Sequence, residues 1–405
     1  MISHDLDVLV VGGGPNGVAL AARLDRSDVR DLLLVERGQL VDTWDSSLAG
    51  TSPTRTGIHF SDTITPGDSQ VGSLADFAGG VLTPRQLAED ELPKEVFQSY
   101  YRAVADAAGL RYRVGCAVEW VEPLGRGFRV QLSDGEQLTT RTVVDATGVV
   151  DSKRWPVWAA DLPPERCHHS IGHGVLNSAS GLRLVLVGGG HATPDIAVRM
   201  AENGSDVTVV VRKPRLQRQL LPYPREYLSG RFQAHYRHLT VHRRLLVLAS
   251  MAQAGPWVTP RSFTDFTEAV SRPAGRGSIS VELSSYVRSA RMGPGGIEVD
   301  LSNGSRIEVD HVICATGFQA ALPDVGGLPL PPGTWSGRTL GGYPLLTDGY
   351  EVVGMPGYFL TGYLAQMGPR GPIDAILAGT APTTDMVAGE ILAGRTACLS
   401  PAGRG

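Results

Sequence analysis

A glycine-rich motif of the form G-x-G-x-x-G follows a β-branched run near the start of the chain. Residues 7–11 read DVLVV, and the motif then supplies Gly12, Gly14, Pro15, Asn16 and Gly17. A helical pattern over residues 18–24 and a buried strand over residues 31–36 come next. In such a unit the glycines permit a tight turn and let the backbone approach a pyrophosphate at the helix N-terminus. This segment therefore predicts a doubly wound α/β unit that binds a dinucleotide.

The same pattern occurs a second time near the middle of the chain. Residues 183–187 read RLVLV and lead into Gly188, Gly190 and His191. We predict a helix over residues 194–203 and a strand over residues 206–211 after this motif. Thr193 stands where the third small residue is expected, so the helix and strand of this copy are expected to lie slightly further apart. One such motif is weak evidence for a dinucleotide site, whereas two copies in the same frame are a specific signal.

Each copy ends on a charged residue at the same distance from its first glycine, but the two charges are opposite. Glu36 stands 24 residues after Gly12, and Arg212 stands 24 residues after Gly188, with Lys213 beside it. A carboxylate at this position accepts hydrogen bonds from ribose hydroxyls, whereas a guanidinium suits a ribose 2′-phosphate. The sequence therefore predicts two dinucleotides in one chain, one of them NADP.

A shorter element is also duplicated, namely a strand that ends in Ala-Thr-Gly. The first copy follows residues 143–145 and the second follows residues 311–314, which gives Ala146, Thr147, Gly148, Ala315, Thr316 and Gly317. Each copy comes after a region of alternating strands, over residues 112–132 and 278–309, which we interpret as an antiparallel meander. Corresponding positions in both halves make a chance strand end a poor explanation.

Composition excludes several other classes of protein. The chain has 405 residues, of which 42% are hydrophobic, which is enough for a large core. Its net charge is −4, so nucleic acid is not the expected partner. The four cysteines are far apart, which argues against a disulfide framework, a zinc ribbon and a dithiol redox centre. No signal peptide is recognised, and apolar stretches are shorter than the ~18–20 residues that a membrane span needs. We expect a cytoplasmic protein without a membrane segment, and the excess of arginine over lysine hints at a bacterial gene.

The two dinucleotide motifs and the paired Ala-Thr-Gly strands resemble the two-dinucleotide flavoproteins, and most closely the class B flavin-dependent monooxygenases with their N-hydroxylating branch. The diagnostic segment of that family, Asp-x3-[Leu/Phe]-Ala-Thr-Gly-Tyr, reads DHVICATGF from Asp310 to Phe318 here, with Cys314 and Phe318 as departures. The resemblance runs from Asp7 to about Leu392. It implies an α/β fold of two Rossmann-like domains, in which an NADPH domain (residues 156–319) is inserted into an FAD domain (residues 1–155 and 320–405).

The resemblance also implies cofactor contacts, carried over position by position. FAD would be held by Gly12, Gly14, Gly17 and Glu36, and NADPH by Gly188, Gly190 and Arg212. Further expected cofactor contacts are Pro15, Asn16, Arg37, Trp44, Ala146, Thr147, Gly148, His191, Lys213, Ala315, Thr316, Gly317, Gly362, Gly371 and Pro372. No catalytic side chain is named, because the cofactor carries the difficult chemistry in this family.

The last third of the chain resembles the part of the family that returns to the flavin. Residues 356–362 look like the returning strand, and residues 366–372 lead into a helix predicted over 373–377, whose positive end would face the flavin pyrimidine. Disulfide reductases of similar architecture carry Gly-Asp where this chain has Gly362 and Tyr363, which disfavours a thioredoxin-reductase function. The histidines of the crossover between the two halves are not followed by the tryptophan that the Baeyer–Villiger enzymes carry there, which disfavours ester formation.

Three further segments have competing interpretations. His168, His169 and His173 have no carboxylate at ligand spacing, so we expect a hinge with solvated histidines rather than a metal site. Residues 212–244 are basic with interleaved aromatics, and we interpret them as an NADPH-side insertion whose first arginines contact phosphate, the others being solvated or lining a substrate mouth. Residues 62–80 are polar and glycine-rich, which predicts a mobile lid or a surface insertion.

The resemblance implies that NADPH reduces FAD and that a C4a-(hydro)peroxyflavin passes oxygen from dioxygen to a small molecule, at nitrogen or sulfur or by hydroxylation, in bacterial specialised metabolism. Two alternatives stay open. One is an FAD and NAD(P)H oxidoreductase that passes electrons to a partner or a quinone without oxygen insertion. The other is a redox sensor or scaffold that merely retains FAD. The substrate, and whether the chain forms a homo-oligomer, are not encoded in recognisable motifs.

Overall fold

The computed structural model describes residues 5–27, 29, 31–42, 69–83, 92, 94–176, 178–218, 229–254, 258, 260–272, 277–318, 328–375 and 379–399. Within these residues, two mainly parallel sheets are each flanked by helices, and a smaller antiparallel sheet packs beside the second. The α/β fold class is therefore confirmed.

The first sheet combines strands from both ends of the chain. Its strands are β1 (Leu6–Val11), β2 (Leu32–Val35), β3 (Tyr112–Arg113), β4 (Val118–Pro123), β5 (Phe128–Leu132), β6 (Gln137–Asp145) and β17 (Tyr358–Leu360). The order is β3-β2-β1-β6-β5-β4, and β17 pairs in parallel with the carboxyl end of β6. The apolar runs of β1 and β2 are buried, and α1 packs against both strands.

The second sheet repeats the parallel part of the first. Its strands are β7 (Cys167–His169), β8 (Arg183–Val187), β9 (Asp206–Val211), β10 (Ser278–Leu283) and β14 (His311–Cys314), in the order β10-β9-β8-β14-β7. The matching order in the first sheet is β3-β2-β1-β6-β17. The smaller sheets consist of β11 (Val287–Gly293), β12 (Gly296–Leu301) and β13 (Arg306–Val309), and of β15 (Thr339–Leu340) with β16 (Tyr343–Pro344).

Helices pack on these sheets. They are α1 (Pro15–Asp25), α2 (Leu74–Val81), α3 (Lys94–Ala107), α4 (Ala192–Glu202), α5 (Gly230–Arg237), α6 (Val241–Ala254), α7 (Pro260–Ser271) and α8 (Thr380–Leu399). Proline at the first position of α1 presets the helical φ where no backbone donor is needed. The small apolar side chains of α1 are buried because α1 contacts the first sheet, α3 and α8. Short 3₁₀ helices span Val157–Asp161, His173–Leu176, Gly362–Ala365 and Gly371–Ala375.

The structure corrects three details of the sequence interpretation. Residues 112–113 pair in parallel with β2, and β10 pairs in parallel with β9, so neither belongs to an antiparallel meander. Both are edge strands, and a short edge strand has the same alternating pattern in either kind of sheet. The helix expected from residue 194 begins at Ala192, because proline is accepted within a first helical turn.

The segment at residues 62–80, expected to be a mobile lid or a surface insertion, contains a capped helix in its second half. Residues 74–81 form α2, and its start is capped by Ser73, whose hydroxyl accepts the amide of Asp76 at 3.0 Å while the carboxylate of Asp76 accepts the amide of Ser73 at 3.3 Å. Leu74 and Ala78 are buried in the core beside α3. This cap and this burial outweigh the two glycines of the helix, each of which costs about 1 kcal/mol. Residues 62–68 lie outside the described part of the chain.

Among the described residues, we find no helix with the length and apolar character required for a membrane span.

Candidate cofactor site

The first glycine of the N-terminal motif lies directly under the first Ala-Thr-Gly segment. The amide of Gly12 donates to the carbonyl of Val35 at 2.8 Å, and the amide of Ala146 donates to the carbonyl of Val11 at 2.8 Å. A β-carbon on Gly12 would lie 2.5 Å from the carbonyl oxygen of Ala146, and the φ of Gly12 is +108°. Only glycine fits this position, because both the space and the backbone conformation exclude a side chain.

The second motif is built in the same way. The amide of Gly188 donates to the carbonyl of Val210 at 3.0 Å, and the amide of Ala315 donates to the carbonyl of Val187 at 2.8 Å. A β-carbon on Gly188 would overlap the carbonyl oxygen of Ala315, and the φ of Gly188 is +142°. The two duplicated sequence elements therefore meet each other in each half of the molecule.

The glycines that end the two Ala-Thr-Gly segments also correspond. Gly148 has a φ of +73° and Gly317 a φ of +76°, and no heavy atom would lie within 4 Å of a β-carbon at either position. The backbone thus turns the same way beside open space in both halves, at the carboxyl ends of the parallel strands. Dinucleotides bind outside the carboxyl ends of such strands.

The N-terminus of α1 has the features that a pyrophosphate requires. Gly14 is the N-cap residue, and no heavy atom would lie within 4 Å of a β-carbon there. The side-chain oxygen of Asn16 is buried and has no hydrogen-bond partner in the described structure. Gly362 follows β17 with a φ of +67°, and a β-carbon on it would lie 3.1 Å from the side-chain nitrogen Nδ2 of Asn16. An open helix N-terminus next to an orphaned polar atom fits the diphosphate and ribityl part of a dinucleotide.

Glu36 is fixed at the end of β2 by two backbone amides. Its carboxylate accepts the amide of Gly13 at 2.6 Å and the amide of Gly38 at 2.8 Å. These bonds hold the acid beside the first motif, where a ribose would lie. The neighbouring Arg37 instead forms a two-bond ion pair with Asp151, at 2.5 and 3.0 Å, and this pairing raises the pKa of the Arg37 guanidinium.

The second motif presents cationic side chains at the matching place. Arg212 follows β9 directly and is exposed, while the ammonium group of Lys213 contacts Gln217 at 3.3 Å. His191 is exposed at the start of α4. Thr193 is fully buried, and its hydroxyl has no hydrogen-bond partner within the described residues. This half therefore offers an exposed guanidinium where the first half offers a carboxylate.

Asp145 is a site residue that the sequence analysis missed. It ends β6, is fully buried, and accepts hydrogen bonds from the amide and hydroxyl of Thr147 at 3.1 and 2.6 Å, from the amide of Leu328 at 2.9 Å and from the hydroxyl of Tyr358 at 3.2 Å. Burial raises the pKa of this carboxyl, and the hydrogen bonds oppose the rise. Asp145 therefore fixes the first Ala-Thr-Gly turn, and the signal in the sequence was the acid just before Ala146.

Asp310, the first residue of the family's diagnostic segment, joins two strands. Its carboxylate accepts the backbone amide of Arg183 at 2.8 Å and the guanidinium of the same residue at 2.7 Å. The arginine lowers the pKa of this carboxyl. Asp310 therefore sets the start of β14 against the start of β8, which brings Ala315 over Gly188.

Of the histidines at positions 168, 169 and 173, His169 differs from the expected solvated hinge. His169 lies in β7 and is buried between the rings of Trp155 and Phe318, each with its centroid 5.5 Å away. Its Nδ1 accepts the amide of Ile171 at 3.2 Å, so its Nε2 donates to the carbonyl of Gly317 at 3.0 Å. The hinge interpretation is wrong here because a strand pairing with β14 buries the histidine. In the described part of the chain, no three His, Cys, Asp or Glu side chains converge as metal ligands.

Residues 366–375, which we call the 366–375 turn, differ from the expected helix. They contain the 3₁₀ helix Gly371–Ala375, and residues 376–378 lie outside the described structure. Gly371 has a φ of +77°, and a β-carbon on it would lie 2.8 Å from the ring of Tyr236. Pro372 occupies the first turn as expected. The described part of the helix expected over 373–377 is therefore 3₁₀ rather than α, and the orientation of its positive end towards a flavin stays a prediction.

Two residues from the basic segment hold the 366–375 turn. The hydroxyl of Tyr236 donates to the carbonyl of Gln366 at 3.2 Å, and the guanidinium of Arg244 donates to the carbonyl of Met367 at 2.8 Å. The guanidinium also donates to the carbonyl of Arg237 at 2.7 Å and lies 5.5 Å from the centre of the Tyr236 ring. Tyr236 and Arg244 are both buried, so the expectation that the later arginines are solvated or line a mouth is wrong for Arg244.

Trp44 lies outside the described residues, as do residues 219–228 of the basic segment.

Comparison with known proteins places these features in a family. A family model described as pyridine nucleotide-disulphide oxidoreductase matches residues 9–254. The indole-3-pyruvate monooxygenase YUCCA1 of rice, Oryza sativa subsp. japonica, is 25% identical over 379 residues, which cover 86% of this chain and 87% of that protein.

Solved structures show the same architecture. An ornithine N-hydroxylase from Kutzneria sp. 744, solved with reduced FAD, NADP⁺ and L-ornithine, superposes with a TM-score of 0.79 at 16% identity and covers 97% of this chain and 100% of that one. A bacillithiol disulfide reductase from Staphylococcus aureus superposes with a TM-score of 0.65 at 18% identity, over 97% and 100% of the two chains. The expected fold with two Rossmann-like domains is thereby confirmed.

Proposed function

Because the chain belongs to the pyridine nucleotide-disulphide oxidoreductase family, we propose that it is an NADPH-dependent FAD monooxygenase that oxygenates a small molecule. The observation that carries this proposal is the pair of matching motifs, each closed by an Ala-Thr-Gly turn, with Glu36 at one end and Arg212 at the other. Such a chain binds two different dinucleotides and discriminates between them by charge. The similarity to a rice monooxygenase and to an ornithine N-hydroxylase solved with FAD and NADP⁺ supports oxygen transfer.

The residues around α1 would hold FAD. Gly14 and Asn16 offer the helix N-terminus and an unused amide oxygen, and Glu36 offers its carboxylate beside them. Gly362 brings the end of β17 against the side chain of Asn16, so a side chain at position 362 would crowd Asn16. We include Pro15, Arg37, Trp44, Ala146, Thr147, Gly148, Gly371 and Pro372 as further FAD contacts, as the family resemblance implies.

The residues around α4 would hold NADPH. The exposed guanidinium of Arg212, supported by Lys213, would bind the ribose 2′-phosphate in a charge-assisted pair. Gly188, Gly190, His191, Ala315, Thr316 and Gly317 would surround the pyrophosphate and the nicotinamide end. Bound FAD supplies hydride acceptance and dioxygen activation, while this chain orients the two cofactors and excludes water.

The domain boundaries that we propose follow the sheets. Residues 1–155 and 320–405 would form the FAD domain, which is supported by the pairing of β17 with β6. Residues 156–319 would form the NADPH domain, which is supported by the presence of β7 to β14 in the second and third sheets. The helices α5 and α6 belong to the inserted domain by sequence but contact the 366–375 turn of the other domain, so the two domains share a buried contact.

Two of the described cysteines lie close together. Cys167 and Cys314 stand on neighbouring parallel strands, two positions out of register, and their thiol groups hydrogen-bond to each other, which lowers the pKa of the Cys167 thiol. The second candidate is an oxidoreductase without oxygen insertion, which the similarity to a disulfide reductase favours, although with the lower TM-score of 0.65.

The test uses ¹⁸O₂ with NADPH and a panel of primary amines and thioethers that includes L-ornithine. We expect one ¹⁸O atom in an organic product and stoichiometric consumption of NADPH and dioxygen. Label that appears only in hydrogen peroxide or water, with electrons passing to a quinone or a disulfide, would replace this function with the second candidate.

A further inference from the structure

A carboxyl group is enclosed within the 366–375 turn. Asp374 is 1% exposed, and its Oδ1 accepts the hydroxyl of Thr383 at 2.5 Å while its Oδ2 accepts the hydroxyl of Tyr350 at 2.9 Å. The guanidinium of Arg370 lies 3.7 Å from the same carboxyl and is itself mostly buried. These partners come from α8, from the loop before β17 and from the turn itself. Asp374 thus joins three parts of the molecule at one point.

Charged and titratable groups face Asp374 from several elements. Arg370 lies in the same turn, and Tyr350 approaches from the loop before β17. Tyr236 approaches from α5, and the guanidinium of Arg244 from α6 lies over the Tyr236 ring. Thr383 of α8 contributes a neutral hydroxyl. The surroundings of Asp374 therefore include two guanidinium groups, two phenols and one aliphatic hydroxyl.

The backbone at Tyr350, which places the phenol against Asp374, is strained. Tyr350 is fully buried and has a φ of +69°, a conformation that side chains other than glycine rarely adopt. Its carbonyl accepts the amide of Leu360 at 3.1 Å, which ties it to β17, and its hydroxyl reaches Asp374. Such outliers persist where the surrounding structure holds them and are concentrated at functional sites.

The balance of these contacts leaves Asp374 able to change protonation near neutral pH. Burial raises the pKa of Asp374 to about 7, while the hydrogen bond from Thr383, the charge of Arg370 and the hydrogen bond from Tyr350 lower it. The ionised carboxylate accepts both hydroxyl hydrogens. The protonated form has to donate its own hydrogen, so at least one of the two hydroxyls must turn away.

We propose that Asp374 is a positioning residue that holds an exchangeable proton inside the 366–375 turn, and that it takes up a proton from solvent when negative charge forms on the cofactor beside the turn. The first part stands on the contacts of this chain alone. The second part rests on the proposed function, in which FAD lies against the 366–375 turn.

The coupling follows from charge balance. Reduction of bound FAD by two electrons and one proton adds one negative charge to it. A negative charge near a carboxyl favours its neutral form, so ionised Asp374 takes one proton from solvent. Each proton bound together with two electrons makes the reduction potential fall by about 30 mV per pH unit, since a tenfold change in proton concentration is a tenfold change in the equilibrium constant.

The first experiment measures the proton on Asp374 in the protein without flavin. The infrared carbonyl band of a protonated carboxyl, followed from pH 5 to pH 9, is expected to disappear with a midpoint near pH 7, and this component is expected to be absent from Asp374→Asn. Thr383→Val removes a hydroxyl that stabilises the carboxylate, so it is expected to make the group a roughly tenfold weaker acid and to move the midpoint upwards. Asp385→Asn changes an exposed carboxyl on the same helix and serves as the control.

The second experiment measures the reduction potential of bound FAD between pH 6 and pH 9 in the wild type and in Asp374→Asn. We expect a slope up to about 30 mV per pH unit steeper in the wild type. If the wild type lacks the titrating band, or if Thr383→Val leaves the midpoint of its titration unchanged, Asp374 does not hold an exchangeable proton. Equal slopes in the two proteins overturn the coupling. Failure to bind FAD at all overturns the proposed function and the coupling with it, while the infrared titration still decides the first part.

Discussion

Gly12 and Ala146 lie in backbone contact, and Gly188 and Ala315 repeat that contact in the second half of the molecule. A side chain on either glycine would collide with the carbonyl group of its alanine. The carbonyl of Val11 accepts the amide of Ala146, and the carbonyl of Val187 accepts the amide of Ala315. These two hydrogen bonds keep the first glycine of each motif under its Ala-Thr-Gly turn. The two halves of the chain therefore contain the same backbone arrangement. They differ in the charge of the residue that follows the second strand of each motif.

Substitution of the two glycines is expected to separate the two cofactors. Gly12→Ala forces a side chain into a φ of +108° and into a backbone carbonyl, so we expect FAD affinity to fall about 100-fold, equivalent to about 3 kcal/mol. Gly188→Ala is expected to leave FAD affinity unchanged and to weaken NADPH binding by a similar factor. Fluorescence titration with each cofactor measures both.

Gly79→Ala is the matched control for these variants. Gly79 lies in α2 with no heavy atom within 4 Å of its β-carbon position, so alanine is expected to raise the stability by about 0.5–1 kcal/mol without an effect on either cofactor. A loss of FAD affinity in Gly188→Ala as large as that in Gly12→Ala would contradict the separate assignment of the two motifs.

Arg212→Ala is expected to raise the KM for NADPH by one to two orders of magnitude and to leave the KM for NADH nearly unchanged. An arginine–phosphate hydrogen bond contributes about 1.5–3 kcal/mol, and NADH lacks the phosphate. Arg199→Ala, which changes an exposed arginine at the end of α4, is the control. Equal losses with both nucleotides would show that Arg212 does not read the 2′-phosphate.

Asp145→Ala is expected to destabilise the protein by about 3 kcal/mol or more, because it leaves the amides of Thr147 and Leu328 and the hydroxyl of Tyr358 without their acceptor. Asp145→Asn retains one acceptor oxygen and is expected to cost less. Urea unfolding of both variants measures the difference. A variant with alanine as stable as the wild type would mean that the first Ala-Thr-Gly turn does not depend on this carboxyl.

Arg244→Met is expected to loosen the 366–375 turn, since the carbonyl groups of Met367 and Arg237 lose their donor. The amide of Gly368, which donates to Ala365 at 2.8 Å, is expected to exchange its hydrogen about 10- to 100-fold faster, for a local loss of about 1.5–3 kcal/mol. Arg243→Met, which changes an exposed neighbour on the same helix, is expected to leave this exchange unchanged. Unaltered exchange in Arg244→Met would refute the role of Arg244.

The parts of the fold that could be predicted from the sequence are those encoded within about 25 residues. The spacing from Gly12 to Glu36 and from Gly188 to Arg212 identifies two strand–turn–helix–strand units, and both are present. The direction of short edge strands such as β3 and β10 could not be predicted, because it depends on which strand they pair with and not on their own pattern.

The groups that hold the site together could not be predicted from the sequence, because their hydrogen-bond partners are distant in the chain. Asp145 and Tyr358 are 213 residues apart, and Tyr236 and Gln366 are 130 residues apart. His169 and Arg244 have side chains that are typical of a surface, yet the fold buries both. A charged or polar residue in such a place reveals its role only when the acceptor that it faces is known.

The most direct test of two cofactors in one chain is the visible spectrum of the purified protein with FAD, recorded without oxygen before and after NADPH is added. We expect the protein to bind FAD, NADPH to bleach the flavin band, and NADH at equal concentration to bleach it at least tenfold more slowly. A protein that takes up no FAD, or whose flavin band persists after NADPH, does not bring two dinucleotides together in one chain.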